Sequence, residues 1–102
     1  MTNDIDSRYR LLHDALMAAF GQASEGKGRE RHANGLPFER QPILEITRMV
    51  GAGFPLGQVM KKAQEAQGMA KRGEFSHARG ECLGIINYAA AAVIWLSEQE
   101  TK

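Results

Sequence analysis

The 102-residue sequence predicts an all-α fold, a single small domain of three to four helices with a central C-terminal helix. Apolar residues recur every three to four positions over long stretches, as they do on one face of a helix. Glycine and proline fall between these stretches, and no segment shows the alternation of a strand. A chain of this length forms one domain, near the lower limit for a core that is stable alone.

The first helix is predicted over residues 5–20. Its apolar positions are Ile5, Tyr9, Leu12, Leu16 and Phe20. Asp6 or Ser7 is expected to cap it, because their side-chain oxygens accept hydrogen bonds from the free amides of the first turn. Gly21 is expected to end it.

Residues 21–41 contain four glycines and few apolar side chains, so burial cannot offset the entropy lost on ordering them. We expect a mobile basic loop.

The second helix is predicted over 42–50. Pro42 suits its first position, where an amide hydrogen would have no partner, and Ile43, Ile46 and Val50 share one face.

A third helix is predicted over 55–72, after a corner in which Gly51 and Gly53 end the second helix and Pro55 opens the next. Its core face is expected to contain Leu56, Val59, Met60, Ala63, and either Ala66 or Gln67. The last helix is predicted over 76–99, capped by Ser76. It is apolar on two faces, whereas a surface helix has one. The second face is expected to contact another subunit, so we predict a homo-oligomer.

The net charge of the chain is only +1, which argues against nucleic acid as a specific partner. The charge is unevenly distributed, however. Residues 27–48 carry five basic and three acidic groups, and residues 61–79 carry five and two, between two acidic ends. This pattern favours a small anionic ligand as the partner.

The single cysteine, Cys82, excludes an internal disulfide and fits a reducing compartment. The first residues, MTNDIDSRYR, lack the apolar core of a signal peptide. The longest apolar stretch, YAAAAVIWL at 88–96, is too short to span a bilayer. We therefore expect a cytoplasmic protein without a membrane partner.

The corner VGAGFPLGQVMKK, residues 50–62, is the first candidate ligand site. Glycines allow backbone amides to point at one spot, a helix N-terminus adds positive potential, and two lysines follow one turn later. The candidate residues are Gly51, Gly53, Phe54, Lys61 and Lys62. The spacing of a phosphate-binding P-loop is absent. The alternative is a structural corner with Phe54 packed inside and the lysines in solvent.

The stretch GRERHANGLPFERQ, residues 28–41, is the second candidate. Its basic residues are Arg29, Arg31, His32 and Arg40. Arginine side chains match phosphate oxygens, so the loop can close over an anionic ligand; a solvated loop is the alternative. His13, His32 and His77 lie on separate elements without helical ligand spacing, so we expect no metal site and no cofactor.

The last helix provides the third candidate. Glu81 and Asn87 are polar residues in an apolar helix, and each needs a partner at a subunit contact or in a pocket. Tyr88 can stack on a base, with core packing as the alternative. Asn87 and Tyr88 complete the predicted ligand-binding set.

The stretch ECLGIINYAAAAVIWL, residues 81–96, resembles the C-terminal metal-site helix of MazG-type all-α nucleoside triphosphate pyrophosphohydrolases. The resemblance implies an E-x-x-D step whose carboxylates hold Mg²⁺, with Glu81 as the first. Gly84 stands in place of the second, and no E-x-x-E pair is present to complete the site. Because Mg²⁺ needs several oxygen ligands, we expect no useful hydrolysis of nucleoside triphosphates.

In size, composition and its polar-aromatic helix with an alanine run, the chain is also similar to phage-encoded helical proteins that sequester cyclic nucleotide immune signals. The expected function is therefore a non-enzymatic oligomer that captures a small phosphorylated ligand, such as a cyclic nucleotide, as a phage anti-defence protein would. Two alternatives stay open. One is a MazG-like pyrophosphohydrolase with a degenerate Mg²⁺ site, and the other is a helical adaptor that binds another protein.

Overall fold

The computed structural model describes residues 6–25 and 35–102, and this part of the chain is all-α, which confirms the predicted fold class. Short 3₁₀ turns at Ser7–Tyr9 and Phe38–Arg40 precede the first two helices. The helices are α1 (Arg10–Glu25), α2 (Pro42–Val50), α3 (Gly53–Lys71) and α4 (Phe75–Glu100). Residues 26–34, the arginine-rich part of the predicted loop, lie outside the described residues.

The central helix is α4, as expected: α1, α2 and α3 all pack against it, and α3 makes the most extensive contact. Small side chains allow close packing. Buried alanines are Ala78, Ala91 and Ala92 on α4, Ala19 on α1 and Ala66 on α3. The largest fully buried side chains are Leu44, Thr47 and Pro55. The interior of the described chain is therefore poor in large apolar groups.

The bounds of α2 are those predicted. Pro42 is its first residue, and Gly51 ends it with φ 92° and ψ −175°, a conformation essentially restricted to glycine. The first helix starts later than the predicted residue 5, because a 3₁₀ turn at Ser7–Tyr9 precedes α1, which begins at Arg10. Asp6 acts as a cap, as expected, but of this turn: its side chain accepts a hydrogen bond from the Arg8 amide at 2.9 Å.

The expected stop at Gly21 does not occur, and α1 continues to Glu25. A glycine inside a helix costs only about 1 kcal/mol relative to alanine. Contacts with α4 offset this cost: Gln22 Nε2 donates to the Gly80 carbonyl at 3.1 Å, and Asn87 Nδ2 donates to the Ala19 carbonyl at 3.0 Å. Residues 21–25 of the predicted loop are consequently helical.

The starts of α3 and α4 differ slightly from expectation. α3 begins at Gly53, so Pro55 is its third residue, where a missing amide hydrogen is tolerated because first-turn amides have no intrahelical acceptor. Gly73, with φ 78°, follows the end of α3. Glu74 is the N-cap of α4, and Ser76 lies inside its first turn rather than capping it.

One ion pair joins α2 to α4. Arg48 Nη2 lies 2.7 Å from Glu98 Oε2, and Arg48 Nη1 donates to the Glu39 carbonyl at 2.7 Å. The Arg48 guanidinium lowers the pKa of Glu98 below its ordinary value of 4.5. The pair therefore stabilises the fold above that value, and its contribution is lost as the pH falls through the lowered pKa.

By length and composition α4 could cross a membrane, since an 18-residue stretch of it has a mean hydropathy of 1.3. In the fold, three other helices flank the same helix, and it carries the partly buried Glu81 and Asn87. The expectation of a cytoplasmic protein without a membrane partner stays a prediction.

Candidate ligand-binding cleft

A cleft of about 720 Å³ opens between α4 and the elements packed around it, and we call it the Lys62 cleft. Its apolar lining includes Phe38, Pro42, Ile43, Ile46, Phe54 and Met69. Its polar and aromatic lining includes Gln22, Gln41, Lys62, Glu81, Asn87 and Tyr88. This volume, and a mostly apolar wall with a few converging polar groups, are typical of small-molecule sites.

Lys62 and Glu81 form the charged centre of the cleft. Lys62 Nζ donates to Glu81 Oε1 at 3.3 Å, and the two side chains are 24% and 25% exposed. Nζ also lies 5.8 Å from the centre of the Tyr88 ring, within range of a cation–π interaction. Phe54 packs edge-on against the same ring, with 6.0 Å between ring centres. The ammonium is thus held between a carboxylate and an aromatic wall, at the end of a side chain that stays partly exposed.

Gly84 faces the end of the Lys62 side chain. A Cβ atom at this position would lie 3.4 Å from Lys62 Cδ and Cε and 3.5 Å from Nζ, which is van der Waals contact. The resemblance to the MazG family places a second metal-binding carboxylate at this position. Here the end of the lysine side chain occupies that region, and its ammonium balances the charge of Glu81.

The residues around Glu81 do not fit Mg²⁺. Within the described ranges 6–25 and 35–102, no three His, Cys, Asp or Glu side chains lie close enough together to hold a metal ion. Hard divalent cations need several oxygen ligands, and Glu81 is already paired with Lys62.

Asn87 connects the cleft to α1. Its Nδ2 donates to the Ala19 carbonyl at 3.0 Å and to Gln22 Oε1 at 3.5 Å. No described residue donates a hydrogen bond to Asn87 Oδ1, which leaves an acceptor for a ligand. Of the two alternatives expected for Glu81 and Asn87, a subunit contact or a pocket, both residues line the cleft and have polar partners within the chain.

The structure brings some of the predicted ligand residues together and separates others. Four of them line the cleft: Phe54, Lys62, Asn87 and Tyr88. Lys61 is exposed and pairs with Glu65 at 3.2 Å, and Arg40 is exposed on its 3₁₀ turn. Three others lie outside the described residues: Arg29, Arg31 and His32.

The glycine corner agrees with the structural alternative in part, since Phe54 packs inside and Lys61 is in solvent, whereas Lys62 lines the cleft. The amides of Gly51 and Phe54 donate to the carbonyls of Thr47 and Gly51, at 2.6 and 3.3 Å. Pro55 has no amide hydrogen. Neither Gly51 nor Gly53 lines the cleft. The corner instead turns the chain from α2 to α3 and directs Phe54 against Tyr88.

Sequence reasoning did not single out Gln22, Gln41 or Gly84 as residues that shape the cleft. Gln22 follows the expected end of the first helix, so the sequence places it in a loop. A signal for Gly84 was present, because glycine inside an apolar helix often marks the close approach of another group. In this fold that group is Lys62.

Comparisons with protein-family models, curated proteins and solved structures give no match to this chain.

Proposed function

We propose that this protein binds a small anionic ligand with a flat apolar body, such as a nucleotide, in the Lys62 cleft and releases it unchanged. The position of Lys62 carries the proposal: the ammonium of a partly exposed lysine lies beside an aromatic wall in an apolar-lined cleft of suitable volume. A phosphate oxygen can accept a hydrogen bond from this ammonium. Aromatic and aliphatic walls can cover a base.

The Lys62–Glu81 pair supports binding without hydrolysis. Cleavage of a phosphoanhydride needs cations that neutralise the developing charge and a group that positions water. In the described chain, the one carboxylate at the centre of the cleft is occupied by a lysine. The biological role that we propose is sequestration of a nucleotide signal. The likeness to phage sponge proteins implies the same role.

Calorimetric titration with mono-, di- and cyclic nucleotides tests the proposal, and native mass spectrometry of freshly purified protein detects retained ligand. Lys62→Ala should weaken binding of the tightest nucleotide about tenfold or more, because a charge-assisted hydrogen bond contributes about 1.5–3 kcal/mol. Lys61→Ala is the matched control, since it removes the same charge from an exposed lysine paired with Glu65. It should change the Kd by less than about threefold.

Three outcomes would contradict the proposal. Equal weakening by both substitutions would mean that the overall charge, not the cleft, attracts the ligand. Absence of binding across the panel would favour the adaptor alternative. Release of pyrophosphate from a nucleoside triphosphate, abolished by Glu81→Gln, would favour the MazG-like alternative.

A further inference from the structure

A second surface, an apolar groove of about 650 Å³, lies between α1 and α4. We call it the α1–α4 groove. Its apolar lining includes Leu16 and Phe20 from α1, Ile86, Ala90 and Ile94 from α4, and Leu36. None of the described residues that line it is charged. Depletion of charge is characteristic of the centre of protein–protein interfaces.

Large apolar side chains are exposed along the groove and the adjoining outer face of α4. Their exposed fractions are 56% for Leu12, 47% for Leu16, 61% for Phe20, 45% for Leu36 and 62% for Val93. With about 150 Å² for a fully exposed large side chain, the lower end of the aromatic range, these fractions amount to about 400 Å² of apolar surface. Leu16, Phe20 and Leu36 line the groove itself, whereas Leu12 and Val93 lie outside its lining. A standard dimer interface buries about 800 Å² per partner, of which somewhat more than half is apolar. The groove and these two neighbouring side chains together therefore offer most of the apolar area that one side of a stable dimer uses.

The described part of the chain has little core of its own to stabilise it. Apart from Pro55, the buried apolar side chains are five alanines and Leu44. A domain of about 100 residues already buries a smaller share of its surface than a large one does. If another molecule covered exposed apolar side chains of this chain, the additional buried apolar surface would compensate for the small core.

We infer that a second copy of this chain covers the α1–α4 groove through a two-fold axis. A two-fold interface requires a surface that complements itself. Phe20 and Leu16 are large exposed residues of α1 at the groove, whereas Ala90, which lines it from α4, is small. The two α1–α4 pairs then form a four-helix arrangement. Phe38, Gln41 and Asn87 line both the groove and the Lys62 cleft, so the partner borders the ligand site.

Sedimentation equilibrium at micromolar concentration tests this inference, which does not depend on the proposed function. The wild type should have twice the chain mass of 11.2 kDa. Phe20→Glu should reduce the mass to that of one chain with unchanged helical circular dichroism, because an unpaired charge would otherwise be buried between the copies. Met60→Glu is the matched control, since Met60 is 70% exposed on α3, away from the groove, and this variant should stay dimeric.

If Phe20→Glu does not fold, Phe20→Ala replaces it and should raise the dissociation constant of the dimer about tenfold or more. An unchanged constant would overturn the inference. A monomeric wild type would also overturn it, including one that co-sediments with phosphatidylcholine vesicles, where lipid would cover the groove. Dissociation by Met60→Glu but not by Phe20→Glu would place the interface on α3 and contradict the assignment.

Discussion

At the residue scale, Glu81 and an entering anionic ligand would compete for the same group in the Lys62 cleft, the ammonium of Lys62. Glu81 accepts a hydrogen bond from Lys62 at 3.3 Å, and an entering anion would need the same donor group. In the proposed function Glu81 therefore opposes binding of the anionic group. In the MazG-like alternative Glu81 would be a metal ligand and would favour binding. The same substitution should then have opposite effects under the two functions.

We predict that Glu81→Gln strengthens binding of an anionic nucleotide about two- to fivefold, because a partly exposed ion pair contributes up to about 1 kcal/mol. Glu65→Gln is the control, since it removes an equal charge next to Lys61, outside the cleft. Calorimetric Kd values in the presence and absence of Mg²⁺ provide the measurement. Weaker binding in Glu81→Gln, seen only with Mg²⁺, would contradict the prediction and indicate a metal site.

The sequence could not distinguish Lys61 from Lys62, because both follow the corner at the same turn. Consecutive residues of a helix point about 100° apart, so the orientation of α3 decides which lysine enters the cleft. The predicted core face of α3 was wrong for Leu56, Met60 and Ala63, which are all exposed, Leu56 to 45% and Met60 to 70%. The buried residues are Pro55 and Ala66, on the side of Lys62. Because α3 has apolar residues on both sides, its sequence does not determine which side is buried. The packing against α4 determines it.

At the element scale, the join between α2 and α3 depends on the backbone conformation of one glycine. Gly51→Ala should lower the free energy of unfolding by about 1–3 kcal/mol, because alanine is strained at φ 92° and ψ −175°. Gly57→Ala, inside α3 with nothing within 4 Å of an added Cβ, should raise it by about 0.5–1 kcal/mol. Urea unfolding followed by circular dichroism measures both. Equal effects of the two substitutions would show that the backbone conformation at position 51 does not require glycine.

Helix bounds that are set by the local backbone could be predicted from the sequence, whereas bounds that depend on contacts between distant residues could not. Pro42 and Gly51 act through the local backbone, so the sequence alone predicts where α2 starts and ends. The end of α1 depends on the Gly80 carbonyl, 58 positions from Gln22, and on Asn87, 68 positions from Ala19. Contacts at such distances along the chain are not visible in local periodicity. The cleft depends on the same contacts and was predicted only in part for the same reason.

At the scale of the whole molecule, the described chain exposes more large apolar side chains than it buries. Leu44 is the one large aliphatic side chain in its core, whereas leucines, methionines and phenylalanines are exposed on α1, α3 and α4. The two apolar faces predicted for α4 are buried only in part. Ala92, on one face, is buried within the chain, and Ile86 and Ala90, on the other, line the α1–α4 groove. Ala91, which is fully buried, lies on neither predicted face. Stability and assembly should therefore be coupled in this protein.

We predict that the midpoint of thermal unfolding rises with protein concentration, because a dimer that dissociates on unfolding is stabilised by mass action. For two chains of this size, the midpoint should rise by about 5–10 °C from about 1 to about 100 µM. Circular dichroism in cells of different path length measures it. The Phe20→Glu midpoint should be lower and independent of concentration, whereas that of Met60→Glu should rise like the wild type. A wild-type midpoint that does not move would show that the alanine-rich core suffices for each chain to fold alone.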